Sequence, residues 1–451
     1  MSKPTRFHEF HVKVHRYLGI ALALFMILIA GTGSIIAWYD DLERAFNAPM
    51  RVVTPQPQGW TLHDALVIRA RLEAQDPHSH LFSLQLPQQP DQSLFSRVMP
   101  AIDPVSGQPH AIGYDEVFAD PYTGERLGQR MIGQPSLKGS GFFSFIYYLH
   151  YALLFPLGIG ILLMGFLALF WAIESIIGLY LTLPLKLKPS KTGAKQRSFM
   201  QRWSTSWKIS RGAPPARRLL DLHRASGLWL WPLLLIFAVT GFALNLGGIY
   251  AGVVHIFADY AHFQEQPPRP PLKQPLINPP VDWFEAAALG QRYFAQEAEK
   301  EGFTLGKPAA IEYRRDLGIY FFLMHTSRDL LDRQGTPTET DSPATAATIA
   351  IDARDGRFLG LQLPTGQRAA NTVTSWLMAL HVTAIGGRPW QVAVSAFGIL
   401  VAGMSATGLL LWWRRRKARK PKARAPLAAS SGMAGNAGIV TPAPLRPDCK
   451  R

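Results

Sequence analysis

Cysteine is all but missing from this 451-residue chain. The one thiol is Cys449, so no internal disulfide staples a domain and no cysteine cluster can hold zinc or an iron–sulfur group. No glycine-rich dinucleotide loop or flavin signature occurs in the segments read below as cytoplasmic. Acid is scarce: 31 Asp and Glu face 47 Lys and Arg, for a net charge of +16. The excess is localised. Between Pro184 and Arg224 eleven Lys or Arg meet one acid, Asp221, and Arg414-Arg415-Arg416-Lys417 is similarly basic. Charge gathered in this way favours anionic lipid headgroups as the partner and argues against nucleic acid.

What the chain has in quantity is apolar length. Tyr17 to Tyr39, Ala152 to Leu183, Leu228 to Tyr250 and Gln391 to Trp413 can each cross a hydrocarbon layer of ~30 Å at about 1.5 Å per residue. The first run exceeds the ~7–15 residues of a signal h-region and lacks a small-x-small site before Trp38-Tyr39-Asp40-Asp41, so it is expected to remain as an anchor. The positive-inside rule places both basic stretches and Lys3, Arg6 and Lys13 in the cytoplasm. The expected order is a cytoplasmic N-terminus (1–16), a first span (17–39), an external lobe (40–149), a second span (150–183) and a basic cytoplasmic loop (184–224). A third span (225–250), a second lobe (251–388), a fourth span (389–413) and a basic disordered tail (414–451) follow.

Each external segment opens as a helix and closes as strands. Thr61 caps Leu62 to Leu72, Phe82-Ser83-Leu84-Gln85-Leu86 alternates, and Asp120-Pro121-Tyr122-Thr123-Gly124-Glu125-Arg126-Leu127-Gly128 is a turn entering a strand. In the second segment Val281 to Ala288 begins a helix, Ala309 to Tyr313 and Gly318 to Leu323 read as strands, and Ile351 to Gly360 carries the same turn in looser form. Pro267-Pro268-Arg269-Pro270-Pro271 reads as an extended linker. The fold class is therefore an integral membrane protein, mainly α, with four transmembrane helices in two repeated halves, each bearing a small α+β lobe.

The repetition extends to particular residues. His15-Arg16-Tyr17-Leu18-Gly19, an apolar run and Thr32-Gly33 return 208 positions later as His223-Arg224-Ala225-Ser226-Gly227, an apolar run and Thr240-Gly241. Leu149-His150 precedes a run ending Ser175-Ile176-Ile177-Gly178-Leu179, and Leu380-His381 precedes one ending Ser405-Ala406-Thr407-Gly408-Leu409. A helix with His-Arg-x-x-Gly, a lobe with Asp-Pro-x-Thr-Gly-x-x-Leu-Gly, then Leu-His and a helix closing on Gly-Leu-x-Leu resembles the PepSY-associated transmembrane family over roughly residues 8 to 416. The resemblance implies a PepSY-like fold for the periplasmic lobes and residence in the bacterial inner membrane. Members with an assigned role include haem proteins that reduce ferric siderophores; others have no assigned activity.

Parallel repeats give a pseudo-two-fold axis along the membrane normal, which makes His15 and His223 mates at the cytoplasmic edge and His150 and His381 mates at the external edge. Two facing imidazoles can supply both axial ligands of one iron, so two haems b are expected, held by coordination alone because no Cys-x-x-Cys-His occurs. His11, one turn before His15, could replace it or bind beside it. His255 and His262 could displace a symmetric ligand or receive a ferric substrate. Arg16 and Arg224 suit haem propionates or serve as plain positive-inside anchors. Glu174, deep in the second run, could take a proton or hold a ligand's second nitrogen. Glycines 19, 31, 33, 178, 227, 241 and 408 serve either helix packing or clearance for a flat macrocycle. The expected function is reduction of a periplasmic ferric substrate, most plausibly a ferric siderophore, with electrons from quinol or a cytoplasmic reductase. A ligand-binding or transport accessory is the alternative, and a regulator of external peptidases a third.

Overall fold

The computed structural model describes residues 5–135, 139–185, 197–261, 270–330 and 346–419. His262, Cys449, much of the basic loop, most of the proline-rich linker and all of the tail beyond residue 419 lie outside the described residues. Four helices are long and apolar enough to cross a membrane: α1 (Arg6–Ile36), α6 (Leu157–Thr182), α8 (Pro215–Asn245) and α12 (Gly387–Arg419). Shorter helices precede or connect them: α2 (Tyr39–Phe46), α3 (Ala48–Arg51), α4 (Leu62–Gln75), α5 (Phe142–Ala152), α7 (Phe199–Trp203), α9 (Gly247–Val254), α10 (Trp283–Glu301) and α11 (Ala369–His381). Residues up to Trp412 form one compact unit; from Trp413 a second begins, in which Lys417 Nζ lies 5.6 Å from the Trp413 ring centre.

His150 and His381 are not on the spanning helices. Each sits at the end of a short helix, α5 or α11, that breaks before the long one starts. Leu153 and Leu154 turn the chain with φ of 51° and 61° ahead of Pro156, and Thr383, Gly386 and Gly387 do the same with φ of 57°, 81° and 56°. Left-handed backbone at three non-glycine residues ends α5 and α11 sharply. The second span accordingly starts at Leu157, later than residue 150.

The helices meet through small residues. A Cβ on Gly398 of α12 would lie 2.5 Å from the Ala30 carbonyl oxygen of α1. Beside it the Ser34 hydroxyl donates to the Ser395 carbonyl at 3.0 Å, the Ser395 hydroxyl donates to the Ser34 carbonyl at 2.9 Å, and Trp38 donates to the Ser395 hydroxyl at 2.9 Å. Between α6 and α8, Gly241 faces Ala168 and Trp231 donates to the Ser175 carbonyl at 3.0 Å. In lipid, where apolar surface gains nothing by leaving solvent, such close packing and interhelical hydrogen bonds drive association.

The strands expected to close two separate lobes join into one sheet. β1 (Ser79–Gln85), β2 (Leu94–Pro100), β3 (Glu116–Ala119) and β4 (Arg126–Arg130) come from the segment between α1 and α5. β5 (Leu305–Arg314), β6 (Ile319–Thr326), β7 (Ala347–Asp352) and β8 (Phe358–Gln362) come from the segment between α8 and α11. The order is β4-β3-β2-β1-β5-β6-β7-β8, antiparallel throughout, with the seam at Ser83–Glu312, Leu84–Ile311 and Gln85–Ala310. Pairing β1 with β5 removes what would be an exposed strand edge from each lobe. The two Asp-x-x-x-Gly turns match closely: Gly124 donates to the Asp120 carbonyl and Gly356 to the Asp352 carbonyl, both at 2.9 Å, with φ of 75° and 72°.

One face of the sheet packs beneath α4 and α10, where Leu66, Ile68, Leu72, Leu84, Phe294, Ile311 and Phe322 form a shared core. Arg69 of α4 stacks 3.7 Å from the Trp283 ring of α10 and donates to the Leu81 carbonyl at 3.0 Å. On the other face the buried Arg130 bridges Glu116 of β3 at 2.6 Å and Glu43 of α2 at 2.7 Å, which clamps the sheet to the segment leaving α1. A buried pair broken on one side leaves an uncompensated charge, so this clamp resists displacement.

At the start of α4 the Thr61 hydroxyl accepts from the Asp64 amide at 3.2 Å while the Asp64 carboxylate accepts from the Thr61 hydroxyl at 2.7 Å and its amide at 2.9 Å. These bonds hold the Asp64 carboxyl below its usual range. Their stabilisation is present at neutral pH and disappears as pH falls through the lowered folded-state pKa. Thr61→Ala is expected to cost about 1 kcal/mol in urea denaturation near pH 7. The gap from wild type should narrow once the carboxyl is protonated below pH ~4.

Candidate functional site

The four repeat-related histidines occupy two levels. On α1, His15 and Thr32 are separated by roughly 25 Å of helix rise, and His223 and Thr240 are spaced in the same way on α8. At one level the His15 and His223 rings face each other across α1 and α8 with centroids 6.3 Å apart and planes at 58°. At the other level, His150 stands beside Thr32 of α1 and His381 beside Thr240 of α8. His381 also packs 4.8 Å from the Phe237 ring.

Each ring has one nitrogen tied to the other long helix of its own half. His150 Nδ1 is 3.1 Å from the Thr32 hydroxyl and 3.0 Å from the Ile29 carbonyl oxygen of α1. His381 Nδ1 is 2.6 Å from the Thr240 hydroxyl of α8. His223 Nδ1 lies 3.0 Å from the Thr407 hydroxyl and 3.2 Å from the Met404 carbonyl oxygen of α12. His15 Nδ1 stands 2.7 Å from Oε1 of Glu174 on α6.

The partners determine the tautomer. Backbone carbonyls and a carboxylate only accept. The threonines have already committed their hydrogens: Thr32 to the Leu28 and Ile29 carbonyls at 2.9 and 3.0 Å, Thr240 to the Ile236 carbonyl at 2.7 Å, and Thr407 to the Met404 carbonyl at 2.6 Å. His150 and His223, whose Nδ1 atoms each face a backbone carbonyl, therefore donate from Nδ1 and keep the lone pair on Nε2; His381 meets the Thr240 hydroxyl, and His15 meets the Glu174 carboxylate without hydrogen-bond alignment. A lone pair on Nε2 lets an imidazole ligate a metal, with the opposite nitrogen fixed from outside the coordination shell.

Glycines make room for these rings. A Cβ on Gly33 would sit 3.0 Å from Cε1 of His150, one on Gly408 3.2 Å from Cε1 of His223, one on Gly178 3.5 Å from Cε1 of His15 and one on Gly241 3.9 Å from Cε1 of His381. Gly33 and Gly408 clear space for the imidazoles themselves, whereas the Gly178 and Gly241 distances are ordinary contacts and Gly241 lies closer to Ala168. Gly31 faces open space, whereas Gly19 and Gly227 face Glu174 and Met404.

The remaining sequence candidates are placed apart. His11 is held at Nδ1 2.8 Å from the Phe7 carbonyl oxygen, with its ring 4.1 Å from that of Phe7 and 5.2 Å from that of Tyr180. His255 packs edge-on to Tyr260 at 6.2 Å. Arg224 donates to the buried Asp221 carboxylate and the Thr205 carbonyl, both at 3.0 Å, while Arg16 stands half-buried next in sequence to His15. Among the lobe histidines, His80 is tied to Glu73 at 2.7 Å and His78 stacks on His110 at 4.3 Å, so His78 and His80 form no joint grip. Among the described residues no group of three or more His, Cys, Asp or Glu could hold a bare metal ion. Sequence reasoning assigned no role to Thr32, Thr240 or Thr407. Thr32 and Thr240 recur next to glycine in both halves, which was the available signal.

The family described as the PepSY-associated TM region matches residues 12–415. The chain belongs to that family. The match takes in all four long helices, the sheet and both levels of histidines. No curated protein matches the chain. What this PepSY-associated chain places inside its helices is four imidazoles in two levels, each with Nδ1 beside an oxygen of a long helix.

The glycine contacts separate ring clearance from general helix packing. Gly33→Val should push on His150 and lower the thermal midpoint of the detergent-solubilised protein, whereas Gly31→Val, two residues away with nothing within 4 Å, should leave it unchanged.

Proposed function

We propose that the protein is a di-haem electron-transfer protein of the bacterial inner membrane that reduces a periplasmic ferric chelate, most plausibly a ferric siderophore. The observation that carries this reading is the His15/His223 geometry. The His15 and His223 imidazoles, with ring centres 6.3 Å apart, would together hold one haem iron between them. The donor set also suits the group. A pair of imidazoles would suffice to hold a haem, which would supply one-electron chemistry there, whereas a bare ion would need further ligands that the described residues do not cluster.

His15 and His223 would hold one haem and His150 and His381 the other. Haem supplies reversible one-electron transfer when bound. The chain's own residues do the rest. Thr32, Thr240, Thr407 and Glu174 orient the ligands, the apolar side chains Leu22, Met26, Leu234, Phe237, Phe397 and Val401 pack between the levels and exclude water, and the helices set the spacing. The lysines and arginines near residues 184–224 and 414–417 support a cytoplasmic position for the His15/His223 end, and with it a periplasmic sheet. A quinol gives two electrons and two protons and so balances the reduction of two ferric ions. A cytoplasmic reductase is the other class of donor. Reduction to Fe(II) lowers the charge that hard oxygen ligands grip, and metal release follows.

Purified in detergent, the protein is expected to show reduced-minus-oxidised haem bands on addition of dithionite, with two haems per chain. His15→Ala and His223→Ala should each remove one haem, and His150→Ala and His381→Ala the other. A protein that stays colourless after haem supplementation, or four variants with unaltered haem content, would overturn the proposal and favour a ligand-binding or transport accessory.

A further inference from the structure

Three of the four imidazoles are anchored by neutral acceptors, and one by a carboxylate. Glu174 lies inside α6 and is 8% exposed, with Oε1 2.7 Å from His15 Nδ1. The contact is an ion-pair approach without hydrogen-bond alignment, and neither His15 Nδ1 nor either Glu174 oxygen has a hydrogen-bond partner among the described residues. Space for the carboxylate comes from Gly19, one turn beyond His15, where a Cβ would lie 2.9 Å from Oε1.

The corresponding slot beside His223 is built in the same way but filled differently. Met404 precedes Gly408 by the same four residues as Glu174 precedes Gly178, and Gly227, one turn beyond His223, has the Met404 sulfur 3.6 Å from where its Cβ would be. A thioether is too weak an acceptor to take the Nδ1 proton. That role passes to Thr407, 3.0 Å from His223 Nδ1, at the position where the first half has Ile177. The acceptor has moved by about one turn between the halves, and a negative charge has been kept on one side only.

A carboxylate is costly in hydrocarbon unless a positive charge lies close. Ferric iron in a porphyrin dianion with two neutral imidazoles carries one net positive charge, and the ferrous form carries none. A negative charge directly behind an axial ligand therefore stabilises the oxidised form, both through space and by raising the basicity of the imidazole. Neutral threonines at His150 and His381 exert no such bias.

We propose that Glu174 is a positioning residue that acts through His15 and makes the His15/His223 site the lower in potential of the two. The electron lost at that site then passes downhill to the His150/His381 site, which gains it, so the direction of transfer from quinol to ferric chelate is built into one carboxylate. This inference rests on the di-haem reading above.

The test is a redox titration of the purified holoprotein, followed in the haem absorption bands. Glu174→Gln keeps the shape and an acceptor but removes the charge. It is expected to retain two haems, to raise the lower midpoint and to leave the upper one in place. Met404→Glu, which adds a carboxylate against the same site from the other half, should shift the lower midpoint further down. Two bound haems with both midpoints unmoved in Glu174→Gln, or a shift confined to the haem that His150→Ala removes, would overturn the proposal while leaving the di-haem reading intact. If Glu174→Gln fails to hold its haem, Met404→Glu decides: a lowered midpoint supports the role of charge, and an unchanged or raised one refutes it. Absence of haem from the wild-type protein would instead remove the reading beneath.

Discussion

Everything at the centre of this molecule depends on a single type of contact, an imidazole Nδ1 set against an oxygen of a neighbouring helix. In a low-dielectric interior an unpaired ring nitrogen is costly, so each histidine is drawn to the one acceptor its surroundings offer. The threonines are suited to the task because a helical hydroxyl gives its hydrogen to a carbonyl one turn back and is left able only to accept. Orientation of the ring follows.

These contacts also tie the helices into pairs. Those of His15 and Glu174 link α1 to α6, and those of His223, Thr407 and Met404 link α8 to α12. The serine contacts at Ser34 and Ser395 then join α1 to α12, and close packing at Gly241 joins α8 to α6. The site and the scaffold are thus built from the same interactions. Beyond the helices, the β1–β5 seam and the Arg69–Trp283 stack couple the two sheet-bearing segments into one body. A common sheet limits how far the segments can drift apart, and Arg130 fastens it to the chain emerging from α1.

Much of this was legible in advance. Four apolar runs became four long helices because length and hydropathy decide that question locally. Thr61 became a cap, and the two Asp-x-x-x-Gly stretches became matching turns with glycine at positive φ, since turn chemistry is also local. The break between α5 and α6 was harder to see. Leu153 and Leu154 are ordinary residues in an apolar run, and only their packed surroundings hold them in a left-handed conformation. The joining of β1 to β5 left no trace either, because an alternating strand reads the same whether its neighbour is solvent or another strand.

The histidines show where that division lies. Repetition in the amino-acid order singled out His15, His150, His223 and His381, because a duplicated polar residue at the edge of an apolar run is visible without coordinates. Tertiary structure alone decided which oxygens the ring nitrogens meet, that Gly33 and Gly408 clear two of the rings, and that a carboxylate stands behind one imidazole while a sulfur fills its counterpart's slot. The reason is physical: spacing along one helix is a property of the chain, whereas a hydrogen bond between residues as far apart as His381 and Thr240 exists only once separate helices have packed.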